Sequence, residues 1–309
     1  MTRVPAHVFY APTVPSRQCL VVSGDRAFPY SKGLMAQSLM ACGIAPDRAY
    51  RIARIVDIEL RRGDEAYVTT PELRDVAAAV LEREEGDEAV SRYRRWYELR
   101  HLERPLIVLI GGAPGTGKST IATQVAHRLG ITRIVSSDVV RQVMRGVIAA
   151  EVLPQIHTSS FEAAEVIPPG TGGDRTITGF WQQAETVRAG LRNVASRAIE
   201  ERFPVVIEGV HLVPGIPLVD DPGAAHVVEV LLSSASPEQH QANFVLRAEN
   251  TSDSRPALRY LGAFHAIRQI HDFLVLEATR VGTPVVEATD LDAAVRDVMD
   301  LVIHRVGVT

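Results

Sequence analysis

The chain is 309 residues long, 46% hydrophobic and formally −4 at pH 7, enough to bury the core of one large domain and a smaller one. That balance gives no general reason for nucleic acid to bind, and the two cysteines, Cys19 and Cys42, are too few for a disulfide framework or a cysteine-built metal site. The stretch MTRVPAHVFYAPTVPSRQ has no apolar signal core, and no run approaches the ~18 apolar residues of a membrane span, so a cytoplasmic protein that engages neither membrane nor nucleic acid is expected.

Residues 1–18 carry prolines and no clean period, which predicts an extended arm. From Cys19 to about residue 100 the pattern is that of a compact helical module. Leu34, Leu39 and Met40 suggest a helical face ended by Gly43, and a second helix is predicted from Pro46 to Arg62 before Gly63. TTPELRDVAAAVLERE then opens with a threonine cap and a first-turn proline, and DEAVSRYRRWYELR follows it.

From residue 105 to 309 the character changes. The short β-branched runs LIVLI, RIVSS, PVVIEG, HVVEVLL and PVVEAT are separated by segments long enough for helices, predicted at Lys118–Leu129, Val139–Arg145, Phe180–Arg202 and Leu291–Arg305. That alternation is the signature of an α/β domain, a parallel sheet with helices on both faces. EVIPPGTGGD, rich in proline and glycine, reads as a mobile loop.

Gly112, Ala113, Pro114, Gly115, Thr116, Gly117, Lys118 and Ser119 satisfy G-x-x-x-x-G-K-[ST] between a predicted strand and a predicted helix, with Thr120 completing the first helical turn. Glycines let the backbone N–H groups turn inward around phosphates, and the helix N-terminus adds the positive end of its dipole. Lys118 reaches the outer phosphates and the Ser119 hydroxyl can ligate Mg²⁺. The ligand implied is a nucleoside triphosphate. A dinucleotide loop is disfavoured, since Thr120 stands where the third glycine of G-x-G-x-x-G would be.

Three further stretches narrow the chemistry. In SSDVVRQVMR, Asp138 follows the second strand run, with Arg141 and Arg145 one and two turns along the next helix. Asp138 can accept the proton of an acceptor hydroxyl, help order Mg²⁺, or merely cap its helix; the arginine forks suit an acceptor that is itself anionic, or else lie on a solvated face. In PVVIEGVHLVPG, Glu208 ends the third strand run and can hold a metal-bound water, and His211 is either a site residue or ordinary packing. In NFVLRAENTSDSRPALRYLGAFHAIRQI, Arg247, Arg255, Arg259 and Arg268 are spread as in a lid over a triphosphate, with an exposed basic helix as the alternative.

With these residues in place the chain resembles the 2-phosphoglycerate kinase family from about Cys19 onward. The blocks YSKGLMAQSLMACGI, PLIVLIGGAPGTGKSTIA, SSDVVRQVMR, LPQIHTSSF, VVIEGVHLVPG and RPALRYLGAFHAIRQI follow the family's order. The resemblance implies a P-loop kinase fold and ATP- and Mg²⁺-dependent phosphorylation of a small phosphorylated hydroxy acid, 2-phosphoglycerate, to 2,3-diphosphoglycerate. It brings His157, Ser159, Ser160 and His211 to the acceptor beside Arg141 and Arg145. It also draws Glu208 into the site, where the residues themselves suggest a metal role with Ser119; the same reading of the residues puts Lys118, Asp138 and Arg255 in catalysis and Arg247 and Arg259 at the nucleotide. Related kinases of this family act on other phosphorylated acids such as mevalonate 3-phosphate, and a nucleotide-dependent regulator without an acceptor is the competing class.

Residues 19–100 also resemble an ATP-cone, a small nucleotide-sensing domain, in VVSGDRAFPYSKGLMAQSLMACGI and DEAVSRYRRWYELR. Where that domain carries a basic residue before its turn glycine, this chain has Ser23, Gly24 and Asp25. The module is therefore a nucleotide site or a structural or oligomerising cap, and the sequence leaves a homo-oligomer open.

Overall fold

The computed structural model describes residues 19–62, 66–99, 102–170, 172–250 and 257–307, with the side chains of 99, 247–250 and 257 left aside. The expected arm at 1–18 and Arg255 lie outside the described residues, as does the side chain of Arg247. The chain divides into two compact units, residues 1–101 and 102–309.

In the first unit, strands β1 (Leu20–Ser23) and β2 (Arg26–Pro29) form an antiparallel hairpin turned at Gly24 and Asp25. Helices α1 (Lys32–Ala41) and α2 (Pro46–Arg62) follow, then β3 (Tyr67–Thr69), which pairs in parallel with β1, then α3 (Thr70–Glu85) and α4 (Asp87–Leu99). The cap at Thr69 is a full capping box: Glu72 N donates to Thr69 Oγ1, and Thr69 N donates to the Glu72 carboxylate at 2.7 Å. α1 turns Met35, Ala36 and Leu39 into the core and leaves Leu34 67% exposed, so the buried face is one residue round from that expected. Leu39, Ile52, Val56 and Leu81 form the centre of this core.

The second unit is built on a five-stranded sheet, parallel throughout, of β4 (Leu106–Gly112), β5 (Ile134–Ser136), β6 (Val205–Gly209), β7 (His226–Ser233) and β8 (Val285–Glu287), in the order β5-β6-β4-β7-β8. Its helices are α5 (Lys118–Leu129), α6 (Ser137–Val147), α7 (Arg175–Glu200), α8 (Pro237–Asn250), α9 (Ala257–Gly262), α10 (Phe264–Val281) and α11 (Leu291–Val306). Every residue of β4 and β6 is buried, as a central strand covered on both faces requires. Ile107, Leu109, Val205 and Ile207 pack under Val187, Leu191 and Ala195 of α7, while Leu231 and Val210 meet Ile267, Ile270 and Leu274 of α10. β4 lies between β6 and β7, so the chain leaves it in both directions and opens a crevice at its carboxyl end. EVIPPGTGGD includes the end of a short 3₁₀ turn, Ala163–Val166, and finishes at Asp174, whose carboxylate caps α7 by accepting from Thr176 N at 2.8 Å. Among the described residues no helix is long and apolar enough to cross a membrane.

Candidate active site

β4 runs directly into the 113–117 turn, and α5 begins at Lys118. Gly117 caps α5 in the left-handed conformation with no side-chain hydrogen bond, so the first N–H groups of the helix are left for an anion. Lys118 Nζ donates to Ala113 O at 2.7 Å, which holds the ammonium across the mouth of the turn. Thr116 is buried and donates to the same carbonyl at 3.0 Å, whereas Thr120 is exposed on the first turn of α5. An uncapped helix end, a glycine turn and a lysine at its mouth fit a triphosphate.

Beside this turn, Ser119 Oγ donates to Glu208 Oε1 at 3.2 Å. Glu208, the next-to-last residue of β6, lies directly opposite Ile110 of β4 and is only 5% exposed. A hydroxyl and a carboxylate offer hard oxygen donors of the kind Mg²⁺ takes. Among the described residues there is no group of three or more His, Cys, Asp or Glu that could hold a metal ion.

The opposite wall comes from α6. Its cap is Ser136, which accepts from Asp138 N at 3.3 Å, so the Asp138 carboxylate is not needed as the cap and faces the crevice with its side chain 47% exposed. Arg141 lies 3.5 Å from that carboxylate through Nε, and its Nη1 donates to Ile156 O at 3.0 Å and Thr158 O at 2.8 Å. It therefore holds the Pro154–His157 turn against α6 as well as lining the crevice. Arg145, one turn on, makes a long 3.5 Å contact with Gln142. His157 Nε2 donates to Ile148 O at 2.9 Å; Ser159 and Ser160 follow it along the wall, Ser160 buried. Together the two walls enclose about 620 Å³, with Lys118, Ser119 and Glu208 on one side and Asp138, Arg141 and Arg145 on the other. That is the size of a small-molecule site.

His211 stands behind this wall. It is 2% exposed, and burial pushes its pKa down to about 4, so the ring is neutral. Gln183, fully buried on α7, donates through Nε2 to Thr158 O at 3.1 Å and to Gln155 O, which fixes Oε1 as the acceptor facing His211 Nε2 at 3.0 Å. The histidine proton is thereby on Nε2, and Nδ1 accepts from Ser137 Oγ at 2.7 Å. The Ser137 side chain in turn fills the space beside Gly209, where φ is +150° and an added Cβ would fall 1.8 Å from Ser137 Oγ. The Ser137–His211–Gln183 chain thus ties the first turn of α6 to the 155–158 backbone. His211 supports the acceptor wall rather than lining it.

Arg259 of α9 also meets this wall. It donates to both Glu162 oxygens, at 2.9 and 2.5 Å, and to Ser159 Oγ at 3.0 Å, and these hydrogen bonds hold the Glu162 carboxyl below its usual range. Arg268 points elsewhere, to Ser234 O and Asp272. Gln183, Glu162 and Ser137 carry no signal of their own in the sequence, since each acts through a partner distant in the chain; only Ser137, beside Asp138, lies within SSDVVRQVMR.

A model of an AAA domain matches residues 106–215, the span from the P-loop strand through Gly215. The chain is 39% identical to a 2-phosphoglycerate kinase of Methanopyrus kandleri over 93% of its own length and 87% of the relative's. It is 37% identical to that of Methanothermobacter thermautotrophicus, over 87% and 89%, and 35% identical to that of Pyrococcus furiosus, over 91% and 92%. Identity at that level, over most of this chain and of each relative, makes this chain a member of the 2-phosphoglycerate kinase family.

Proposed function

We propose that this protein transfers the γ-phosphoryl group of ATP to the free hydroxyl of 2-phosphoglycerate, giving 2,3-diphosphoglycerate and ADP. The observation that carries the reading is the single crevice in which a P-loop lysine and a Ser119–Glu208 pair face Asp138, Arg141 and Arg145. A regulator that only binds and hydrolyses ATP has no use for the second wall. The three relatives above bear the name of this activity.

In this scheme the acceptor lies between α6 and the 157–160 wall, where Arg145 and the remaining donors of Arg141 meet its carboxylate and phosphate. Asp138 takes the proton of the acceptor hydroxyl as that oxygen bonds to the γ-phosphorus and the bond from phosphorus to the bridging oxygen of ADP breaks. Lys118 and the α5 N-terminus stabilise charge developing on the phosphoryl oxygens. Ser119 and Glu208 would hold Mg²⁺, which when bound would neutralise phosphate charge. Arg255 and Arg247 are proposed for the same charge on the nucleotide side. Arg259 enters it by leaving Glu162, or stays as the clamp that joins α9 to the acceptor wall. Residues 19–100 are read as an ATP-cone-like module and 105–309 as the kinase domain.

ATP turnover measured with and without a panel of phosphorylated hydroxy acids tests this. Turnover that depends on 2-phosphoglycerate supports it; dependence on another phosphorylated acid, such as a mevalonate phosphate, would reassign the substrate. Turnover indifferent to every acceptor would make the protein a regulator.

A further inference from the structure

A phosphate cradle needs backbone N–H groups turned toward the anion, and the carbonyls of such a turn must then find partners elsewhere. A buried carbonyl without a donor costs free energy comparable to a lost hydrogen bond. In the 113–117 turn, Ala113 O is served from within, by Lys118 Nζ and Thr116 Oγ1. The next two carbonyls are served by α8. His240 Nε2 donates to Pro114 O at 2.7 Å, and Asn243 Nδ2 donates to Gly115 O at 3.0 Å.

His240 is fully buried, and burial holds its pKa at about 4, so the ring carries a single proton. Pro114 O can only accept, which puts that proton on Nε2 and leaves Nδ1 to face Arg268 Nη1 at 3.4 Å. Arg268 is itself fixed, by Ser234 O at 2.7 Å and Asp272 Oδ1 at 2.9 Å. One turn along α8, Phe244 stacks on the His240 ring with centroids 5.5 Å apart. Its ring occupies the place a side chain at position 115 would need: a Cβ on Gly115 would lie 2.5 Å from Phe244 Cζ. Two donors and an aromatic face thus buttress the outer side of the turn.

We propose that His240 and Asn243 are positioning residues for the triphosphate, orienting the Pro114 and Gly115 peptides so that the turn's N–H groups converge, without touching the nucleotide themselves. This rests on the reading of residues 112–119 as the ATP cradle. It assigns α8 a part in nucleotide affinity and none in acceptor recognition, a split that a merely structural role would not produce.

The test compares Asn243→Leu, His240→Ala and His240→Gln in the full chain. Equilibrium binding of ATP with Mg²⁺ and steady-state kinetics are measured with ATP and 2-phosphoglycerate varied in turn. Asn243→Leu is expected to raise both Kd and KM for ATP about tenfold, the scale of one lost buried hydrogen bond, with KM for 2-phosphoglycerate within about twofold of wild type. His240→Gln, which keeps an amide donor, should fall between wild type and His240→Ala. If His240→Ala does not fold, the partly buried Asn243 carries the comparison. Folded variants that bind ATP as wild type does, or that raise both KM values equally, would overturn the positioning role. Wild-type protein that binds no ATP would instead overturn the cradle reading, and this proposal with it.

Discussion

Ser119, in the first turn of α5, meets Glu208 at the carboxyl end of β6, the hydroxyl donating to the carboxylate at 3.2 Å. Glu208→Gln keeps an oxygen for that hydrogen bond and removes the charge. The Mg²⁺ concentration giving half-maximal activity should rise about tenfold or more, since a divalent cation loses a carboxylate from its surroundings. A metal titration of activity checks this, and an unchanged midpoint would place the cation elsewhere.

Lys118→Ala should lower kcat by about 10² or more, the scale for removing one preorganised charge from a developing anion. The side chain is partly exposed at the mouth of the turn, so the melting temperature should move little. Near-normal turnover by the folded variant would remove the P-loop from the chemistry.

Asp138→Asn and Arg141→Lys should separate chemistry from binding. The asparagine preserves shape but takes no proton, so kcat should fall by about 10² while ATP affinity holds. Arg141→Lys cannot span Ile156 O and Thr158 O while still facing the crevice, so KM for the acceptor should rise and KM for ATP stay near wild type. If Asp138→Asn abolishes ATP binding and spares kcat, Asp138 serves the metal and the base lies elsewhere.

Gln183→Met removes two donors and one acceptor from the buried chain through His211. A stability loss of about 2 kcal/mol and a higher acceptor KM are expected, because the Gln155 and Thr158 carbonyls lose a donor and the acceptor wall loosens. His211 itself, with its pKa near 4, stays neutral across the ordinary working range. An inflection in acceptor KM between about pH 6 and 8 that vanishes in His211→Gln would contradict its role as a neutral support.

Glu229, mid-strand on β7 and 3.5 Å from Thr283 Oγ1, has its pKa pushed from 4.5 up to about 7, mainly by burial. The folded state thus holds a proton that the unfolded chain releases above pH 4.5, so this group's contribution is fully present below 4.5 and is lost as pH rises to about 7. Glu229→Gln should therefore gain stability relative to wild type between pH 4.5 and 8, by roughly 2 kcal/mol after allowing for partial exposure. Denaturant unfolding at both pH values measures it; a flat difference would mean that Glu229 titrates alike in both states.

How far the site could be read from sequence depended on whether its parts were contiguous. The P-loop and Ser119 lie in one stretch, and Glu208 and Asp138 announce themselves as acids at the ends of β-branched runs. Gln183 gives no such signal: on α7 it looks like any polar residue of a long amphipathic helix, and only the fold brings it to His211 and the 155–158 carbonyls. The pairing of Arg259 with Glu162 spans 97 positions and is equally invisible. In the first unit β3 is three residues long, too short to show a period, and the four-residue strands of the hairpin at Gly24 show little more, though VVSGDRAF holds its turn. Leu34 shares the apolar spacing of a buried face yet is exposed, because spacing alone cannot tell a core position from the rim of a cleft.

The most direct test of phosphoryl transfer to 2-phosphoglycerate is mass-spectrometric detection of the product after incubation with ATP, Mg²⁺ and that acid. A species about 80 Da heavier than the acceptor, the mass of one phosphoryl group, should accumulate in step with ADP, and about 10²-fold or more slowly with Lys118→Ala. ADP released with no phosphorylated acceptor would contradict it.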